Sequence, residues 1–235
     1  MKNIVLIGGG NQAHYTIDII EKENKYNIVG IIDSVHNIGS DRFGYSVIGR
    51  QENLSELVKE YEIYGGVISI GDNWGRCNVF LQIQSLVSDF NFVNAIHPSV
   101  VIGNNVTLGK GIVAMAGCIF NPKSVIGDFT FFATGAQVEH DCVISDFASI
   151  SAGSITGGYV KLGKYSALTL SVTVLDRLEI GENTVVGAGS LVVKSLPNNV
   201  LAYGNPAKII RNRITGEKFL KWKRKINVNT RKDFL

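Results

Sequence analysis

From Val101 to Ser190 the chain reads VIGNNV TLGKGI VAMAGC IFNPKS VIGDFT FFATGA QVEHDC VISDFA SISAGS ITGGYV KLGKYS ALTLSV TVLDRL EIGENT VVGAGS, fifteen six-residue units without a slip. The second position of each unit, from Ile102 to Val186, is apolar in fourteen of the fifteen, Thr156 being the exception. Glycine recurs at the third position (Gly103, Gly109, Gly127, Gly157, Gly163, Gly181, Gly187), and small or β-branched residues dominate the sixth. A helix face needs a period near 3.6 and a half-buried strand a period of 2, so a strict six with glycines describes one short strand and one tight turn per unit. The fold this predicts is a parallel β-helix. Three units make a triangular coil, so residues eighteen apart stack on one edge, and Asn104, Pro122, His140, Gly158 and Asp176 share such an edge.

Ahead of the repeat, about 95 residues follow a different pattern. An apolar run, Lys2 to Gly8, ends in glycines, and a helical stretch extends to about Lys25. A second apolar run, Ile28 to Ile32, ends in Asp33 and completes a βαβ unit. Ser34 to Gly49 reads as loop, a helix is expected around Leu54 to Tyr61, and a strand, Gly66 to Ile70, runs into Gly71, Asp72 and Asn73. A helix carrying Phe80, Ile83 and Val87 follows, then a last strand from Phe90 to Ile96. The expected domains are therefore 1–96, 97–207 and a basic tail, 208–235.

Gly8, Gly10 and Ala13 match G-x-G-x-x-A, with Asp33 some twenty residues beyond Gly10. Glycines let a backbone approach phosphate, and a helix N-terminus supplies N–H groups and positive dipole there. The stretch is too short for a six-stranded NAD domain, which favours a small nucleotide-binding domain. A dinucleotide site and a glycine turn serving only close packing remain the alternatives.

Composition narrows the class further. A hydrophobic content of 45% and a charged content of 18% describe a well-cored chain. No apolar run approaches a membrane span and the N-terminus enters a strand directly, so neither a signal peptide nor a transmembrane segment is expected. Cys77, Cys118 and Cys142 lack metal-ligand spacing and read as core residues of a protein in the reducing cytoplasm. The net charge of +3 is uneven: residues 208–235 carry ten basic and two acidic side chains. That tail reads as a solvated, partly helical end, or as a surface for a phosphorylated cofactor or an anionic membrane in peripheral contact. Nucleic acid is not expected, because the rest of the chain is acidic and carries no recognition motif.

Of the four histidines, His14, His36, His97 and His140, no two share a metal-ligand spacing, and no metal site is expected. Only His140 lies inside the repeat. Its unit, QVEHDC, sets Glu139, His140 and Asp141 at an outward corner, where a carboxylate can hold one ring nitrogen and raise the basicity of the other.

Taken together, IVLIGGG, GIIDS, SIGDN, AIHPSVVIG, VEHDCVISDFASISAG, GGYVKLG, VVGAGSLVVKSLP and GNPAKII resemble the bacterial nucleotide-sugar acyltransferases of the hexapeptide-repeat superfamily. Within it the chain is similar to the branch of sialic acid O-acetyltransferases and bacillosamine-type amino-sugar N-acetyltransferases. The resemblance implies an α/β, Rossmann-like N-terminal domain, a left-handed column, and a homotrimer with active sites between neighbouring columns. It implies acetyl-CoA or another acyl-CoA as cosubstrate and a nucleotide-linked amino-sugar as acceptor. By the same resemblance His140 is the general base, Asp141 its orienting carboxylate, and the Gly158 N–H the donor to the thioester oxygen. Leu170 and Ala188 fall in the CoA groove, and Gly8, Gly10, Asp33, Gly71, Asp72 and Asn73 in the nucleotide-sugar site. Two positions depart from the pattern. Asn11-Gln12 replaces a Gly-His pair, and Ser149 stands where some members place a second histidine near the thioester.

The function this predicts is N-acylation of a nucleotide-linked 4-amino-sugar by direct attack, in surface polysaccharide or glycan synthesis. O-acetylation of a sialic-acid-like sugar is the rival chemistry, and a non-catalytic trimeric scaffold the rival of another class. Cys142 occupies an inward sixth position, which argues against an acyl-enzyme route.

Overall fold

The structure, a computed structural model, describes residues 1–219. Its N-terminal part is a five-stranded sheet with helices packed against it. The strands are β1 (Lys2–Ile7), β2 (Tyr26–Ile32), β3 (Asp41–Arg42), β4 (Tyr45–Gly49) and β5 (Ile63–Ile68), in the order β3-β4-β2-β1-β5. The helices are α1 (Asn11–Glu23), α2 (Leu54–Glu60) and α3 (Asn73–Leu86). Strands β1, β2, β4 and β5 run parallel and only β3 is antiparallel. Ile4, Val5, Leu6 and Ile7 are all fully buried because helices and loops cover both faces, which explains the unbroken apolar run.

Two expectations change here. Ser34 to Gly49 is not all loop, since β3 and β4 form a hairpin and β4 supplies the fourth parallel strand. Phe90 to Ile96 is not one strand: Phe92 makes only a single bridge, with Gly66. Ala95–Ile96 instead pairs with Val113–Ala114 as the first rung of the column. AIHPSV, residues 95–100, is thus a further repeat unit, and the column begins before His97.

The remainder is a left-handed parallel β-helix of three sheets, with six, five and eight strands. Each rung is two residues long and lies eighteen positions from the next: Gln137–Val138 pairs with Ile119–Phe120 on one side and Ile155–Thr156 on the other. Second and sixth positions fill the interior, with Phe120 and Phe132 edge to face at 4.7 Å. The inward hydroxyls are satisfied by turn carbonyls: Ser124 Oγ donates to Asn121 O at 2.6 Å and Ser166 Oγ to Gly181 O at 2.6 Å. Polar sixth positions are therefore compatible with a dry core.

Each turn places its fifth residue at positive φ, and the three corners differ in what they carry there. One corner holds Asp141 and Tyr159 beside the His140 column, and a second holds Phe129, Phe147 and Tyr165. The third holds Gly117, Gly135, Gly153, Ser171 and Gly189. The aromatic corner docks the N-terminal domain. Phe129 stacks on Phe147 at 5.1 Å, Phe147 on Tyr165 at 5.6 Å, and Trp74 of α3 on Tyr165 at 3.9 Å.

Arg76 of α3 is buried in the same seam. Its guanidinium donates to the carbonyls of Phe129 at 2.9 Å, Ile70 at 3.0 Å and Phe147 at 3.2 Å. Burial lowers its pKa to about 10, so it remains a cation at neutral pH.

The chain leaves the column through an antiparallel pair, Val200–Gly204 with Ala207–Asn212. Residues 208–212, expected in a partly helical tail, are consequently strand. The rest of the basic run, from residue 220, and the membrane contact expected of it lie outside the described residues. Among the described residues no helix is long and apolar enough to cross a membrane.

Candidate active site

At the first corner, His140 Nδ1 lies 2.9 Å from Asp141 Oδ2. Asp141 has φ of 57°, and its N–H donates to Pro122 O at 3.1 Å, so the backbone turn itself aims the carboxylate at the ring. With Nδ1 as donor to that carboxylate, Nε2 carries the lone pair, and the side chain is half exposed at 50%. Tyr159 meets the imidazole edge to face at 5.3 Å, and the Arg177 guanidinium lies 4.3 Å over the Tyr159 ring. Gly158 lies over His140 as the eighteen-residue spacing predicts, and a Cβ there would stand 2.8 Å from Cε1 and Nε2.

The donor role expected of Gly158 is not supported by this geometry. Its N–H donates to Asp176 Oδ1 at 3.0 Å, so it is committed within the column and faces a carboxylate unsuited to a developing oxyanion. The same rung-to-rung bond recurs on the aromatic corner, from Asp128 N to Asp146 Oδ1 at 3.0 Å and from Lys110 N to Asp128 Oδ1 at 2.9 Å. An aspartate eighteen residues after Gly158 was the signal for it. Cys142 is fully buried, and burial raises its thiol pKa, which leaves no activated nucleophile at this corner.

A cavity of about 330 Å³ opens in the N-terminal domain, with Gly8, Gly10, Asp33, Gln51 and Gly71 among its walls. Asp33 borders it, but both oxygens are engaged: Oδ2 by Gly9 N at 2.5 Å, and Oδ1 by Val35 N at 2.7 Å, His36 N at 2.8 Å and His36 Nδ1 at 3.0 Å. Burial alone would raise this carboxyl, but the bonds from Gly9, His36 and Val35 outweigh it and bring the pKa down to about 2. Asp33 thus holds the glycine loop in shape.

Asp72 and Asn73 do not belong to that cavity. Asp72 caps α3, accepting from Gly75 N at 2.9 Å. Asn73 is fully buried and donates to the carbonyls of Tyr165 and Ser166, both at 3.0 Å. Ser149 is absorbed in the same seam, donating to Asn73 Oδ1 at 2.5 Å and accepting from Arg76 Nη2 at 3.1 Å. The SIGDN stretch joins the two domains, and residue types that cap a helix and bind carbonyls gave no hint of which partner they would meet.

A second cavity of about 330 Å³ lies between α1 and the glycine corner, with Gln12, Tyr15, Gly71, Ala152, Leu170 and Phe219 among its walls. Gln12 and Gly71 border both cavities. Leu170 and Ala188 stand on the glycine corner, joined through Gly189 N to Leu170 O at 2.9 Å, and His140 stands on another. One chain therefore does not bring its acid–base pair to its own glycine corner.

Residues 3–83 match the family described as PglD N-terminal domain. Across 90% of this chain and 98% of the other, the structure superposes with a TM-score of 0.83 and 34% identity on PerB from Caulobacter crescentus, solved with CoA and GDP-perosamine. It also superposes on the acetyltransferase domain of PglB from Neisseria gonorrhoeae FA1090, solved with acetyl coenzyme A, at a TM-score of 0.81 and 26% identity over 89% and 99% of the two chains. Serine acetyltransferase 2 of Arabidopsis thaliana is 33% identical over 59% of this chain, which spans 38% of that relative's length. The chain belongs to the sugar acetyltransferases of the hexapeptide-repeat superfamily.

Proposed function

We propose that the protein transfers an acyl group, acetyl in the first instance, from acyl-CoA to the amino group of a nucleotide-linked 4-amino-sugar for surface polysaccharide synthesis in the cytoplasm. The carrying observation is the His140–Asp141 pair, which engages Nδ1 and leaves Nε2 without a partner among the described residues on a half-exposed side chain. The amine nitrogen attacks the thioester carbonyl while His140 Nε2 takes its proton. The tetrahedral adduct then collapses, and the sulfur of CoA leaves with the proton returned by the imidazolium. Asp141 holds the ring and balances its positive charge. On one chain Leu170 and Ala188, expected in the CoA groove, stand on the glycine corner away from His140, and the walls of the second cavity hold no histidine, aspartate or glutamate. Pairing the two corners between copies supplies both groove and base, which supports a homotrimer with three shared sites. Val125, Val143 and Ile155, exposed on the faces flanking His140, suit such a contact.

The solved perosamine N-acetyltransferase structures with CoA and GDP-perosamine, including two histidine variants, support the substrate classes. The test is mass spectrometry of products from a panel of UDP-, dTDP- and GDP-linked amino-sugars with several acyl-CoAs. An amide product lost about 10²- to 10⁴-fold in rate in His140→Ala is expected. An ester product on a sialic-acid-like sugar, or full activity in His140→Ala, would reject the reading.

A further inference from the structure

Gln51 is 4% exposed, stands in the wall of the first cavity, and has a side-chain oxygen with no partner among the described residues. An unmet buried acceptor is costly, and a ligand that donates to it would offset that cost on binding. Asp33, the acceptor anticipated at this place, already accepts through both oxygens, three bonds at Oδ1 from Val35 and His36 and one at Oδ2 from Gly9. The cavity therefore offers Gln51 where the motif had pointed to Asp33. The side-chain nitrogen of Gln12 is likewise buried without a partner, and Gln12 borders both cavities. It is the second residue of α1, whose N-cap Gly10 contributes no side-chain cap and whose first turn holds no acidic residue.

The proposed function makes the acceptor a nucleotide-linked sugar; Gly8, Gly10 and Gly71, expected in its site, line the first cavity, and this inference rests on that reading. A nucleotide sugar held in the first cavity would set its diphosphate at the N-terminus of α1, beside Gly10 and Gln12, and its nucleoside against Gln51. We propose that Gln51, and not Asp33, accepts a hydrogen bond from an N–H or O–H of the nucleoside, and that Gln12 donates to the diphosphate at the N-terminus of α1. Both side chains act in binding, so both change KM for the nucleotide sugar and leave kcat near its wild-type value.

Isothermal titration of the full-length protein with UDP, dTDP, GDP and inorganic pyrophosphate tests this, with acetyl-CoA as the control for folding. In Gln51→Leu the tightest nucleoside diphosphate weakens about tenfold or more, while pyrophosphate and acetyl-CoA bind as in wild type. In Gln12→Leu both the nucleoside diphosphate and pyrophosphate weaken. The melting temperature of unliganded Gln51→Leu is not lowered, because the change removes an unmet acceptor and breaks no bond. Gln51→Met, unbranched and of similar length, repeats the measurement should the leucine variant fail to bind acetyl-CoA. Unchanged nucleoside affinity in both Gln51 variants overturns the inference and leaves the cavity reading standing. Absence of saturable binding of every diphosphate to the wild type overturns both.

Discussion

The Cα of Gly158 lies so close over the His140 ring that a methyl group there would stand 2.8 Å from both Cε1 and Nε2. The fourth position of the next coil must be bare for the imidazole to lie flat on the corner. Its backbone is not in the left-handed region, so an alanine meets no backbone penalty there, only the ring. Gly158→Ala should tilt His140 away from Asp141 and lower kcat by about tenfold or more, within the range for a displaced general base. KM for acyl-CoA should hardly move, and steady-state kinetics separate the two.

Asp176 tests whether the Gly158 amide is structural. Since that N–H is bonded to Asp176 Oδ1 at 3.0 Å, Asp176→Ala should cost about 1 kcal/mol of stability, the net worth of one such bond. Urea denaturation measures the cost. Turnover should stay within about threefold of wild type. A loss of two orders of magnitude would show that the carboxylate takes part in the reaction.

Asp33 gives a pH signature. Its carboxyl is lowered from 3.8 to about 2 in the folded chain, so the stability it adds is complete above its unfolded value. It is lost as pH falls through the folded value, between about pH 4 and 2. The contribution at neutral pH is about 2 kcal/mol. Urea midpoints at pH 7 and pH 3 should therefore differ less in Asp33→Asn than in the wild type, and an equal pH dependence would contradict the assignment.

Arg76 ties the domains together without a carboxylate partner. Arg76→Met leaves the carbonyls of Phe129, Ile70 and Phe147 buried and unmet, at a cost of about 3 kcal/mol or more. Calorimetry should show the N-terminal domain melting ahead of the column. Arg76→Lys should not restore a single transition, because one ammonium cannot span carbonyls that the planar guanidinium reaches from several sides.

The column was legible because its period is also its register. Once six residues make a side, Phe120 must stack on Val138, and His140 must lie under Gly158, whatever the rest of the molecule does. The same arithmetic placed Leu170 and Ala188 on a different corner from His140, and with it the separation of the base from the glycine corner. Even the commitment of the Gly158 amide followed the eighteen-residue rule, through Asp176.

What the period could not reach is the seam between the domains. Asn73 binds the carbonyl of Tyr165, 92 residues away, and nothing local distinguishes that use from a ligand contact. Asp33 likewise matched a binding motif, but its oxygens are taken by N–H groups that only the folded loop brings together. A repeat determines its own neighbours because every coil imposes the same geometry on the next. Where two unlike surfaces meet, the hydrogen-bond partners depend on how whole elements dock, and only the tertiary structure decided which polar side chains were spent and which, like Gln51, were left open.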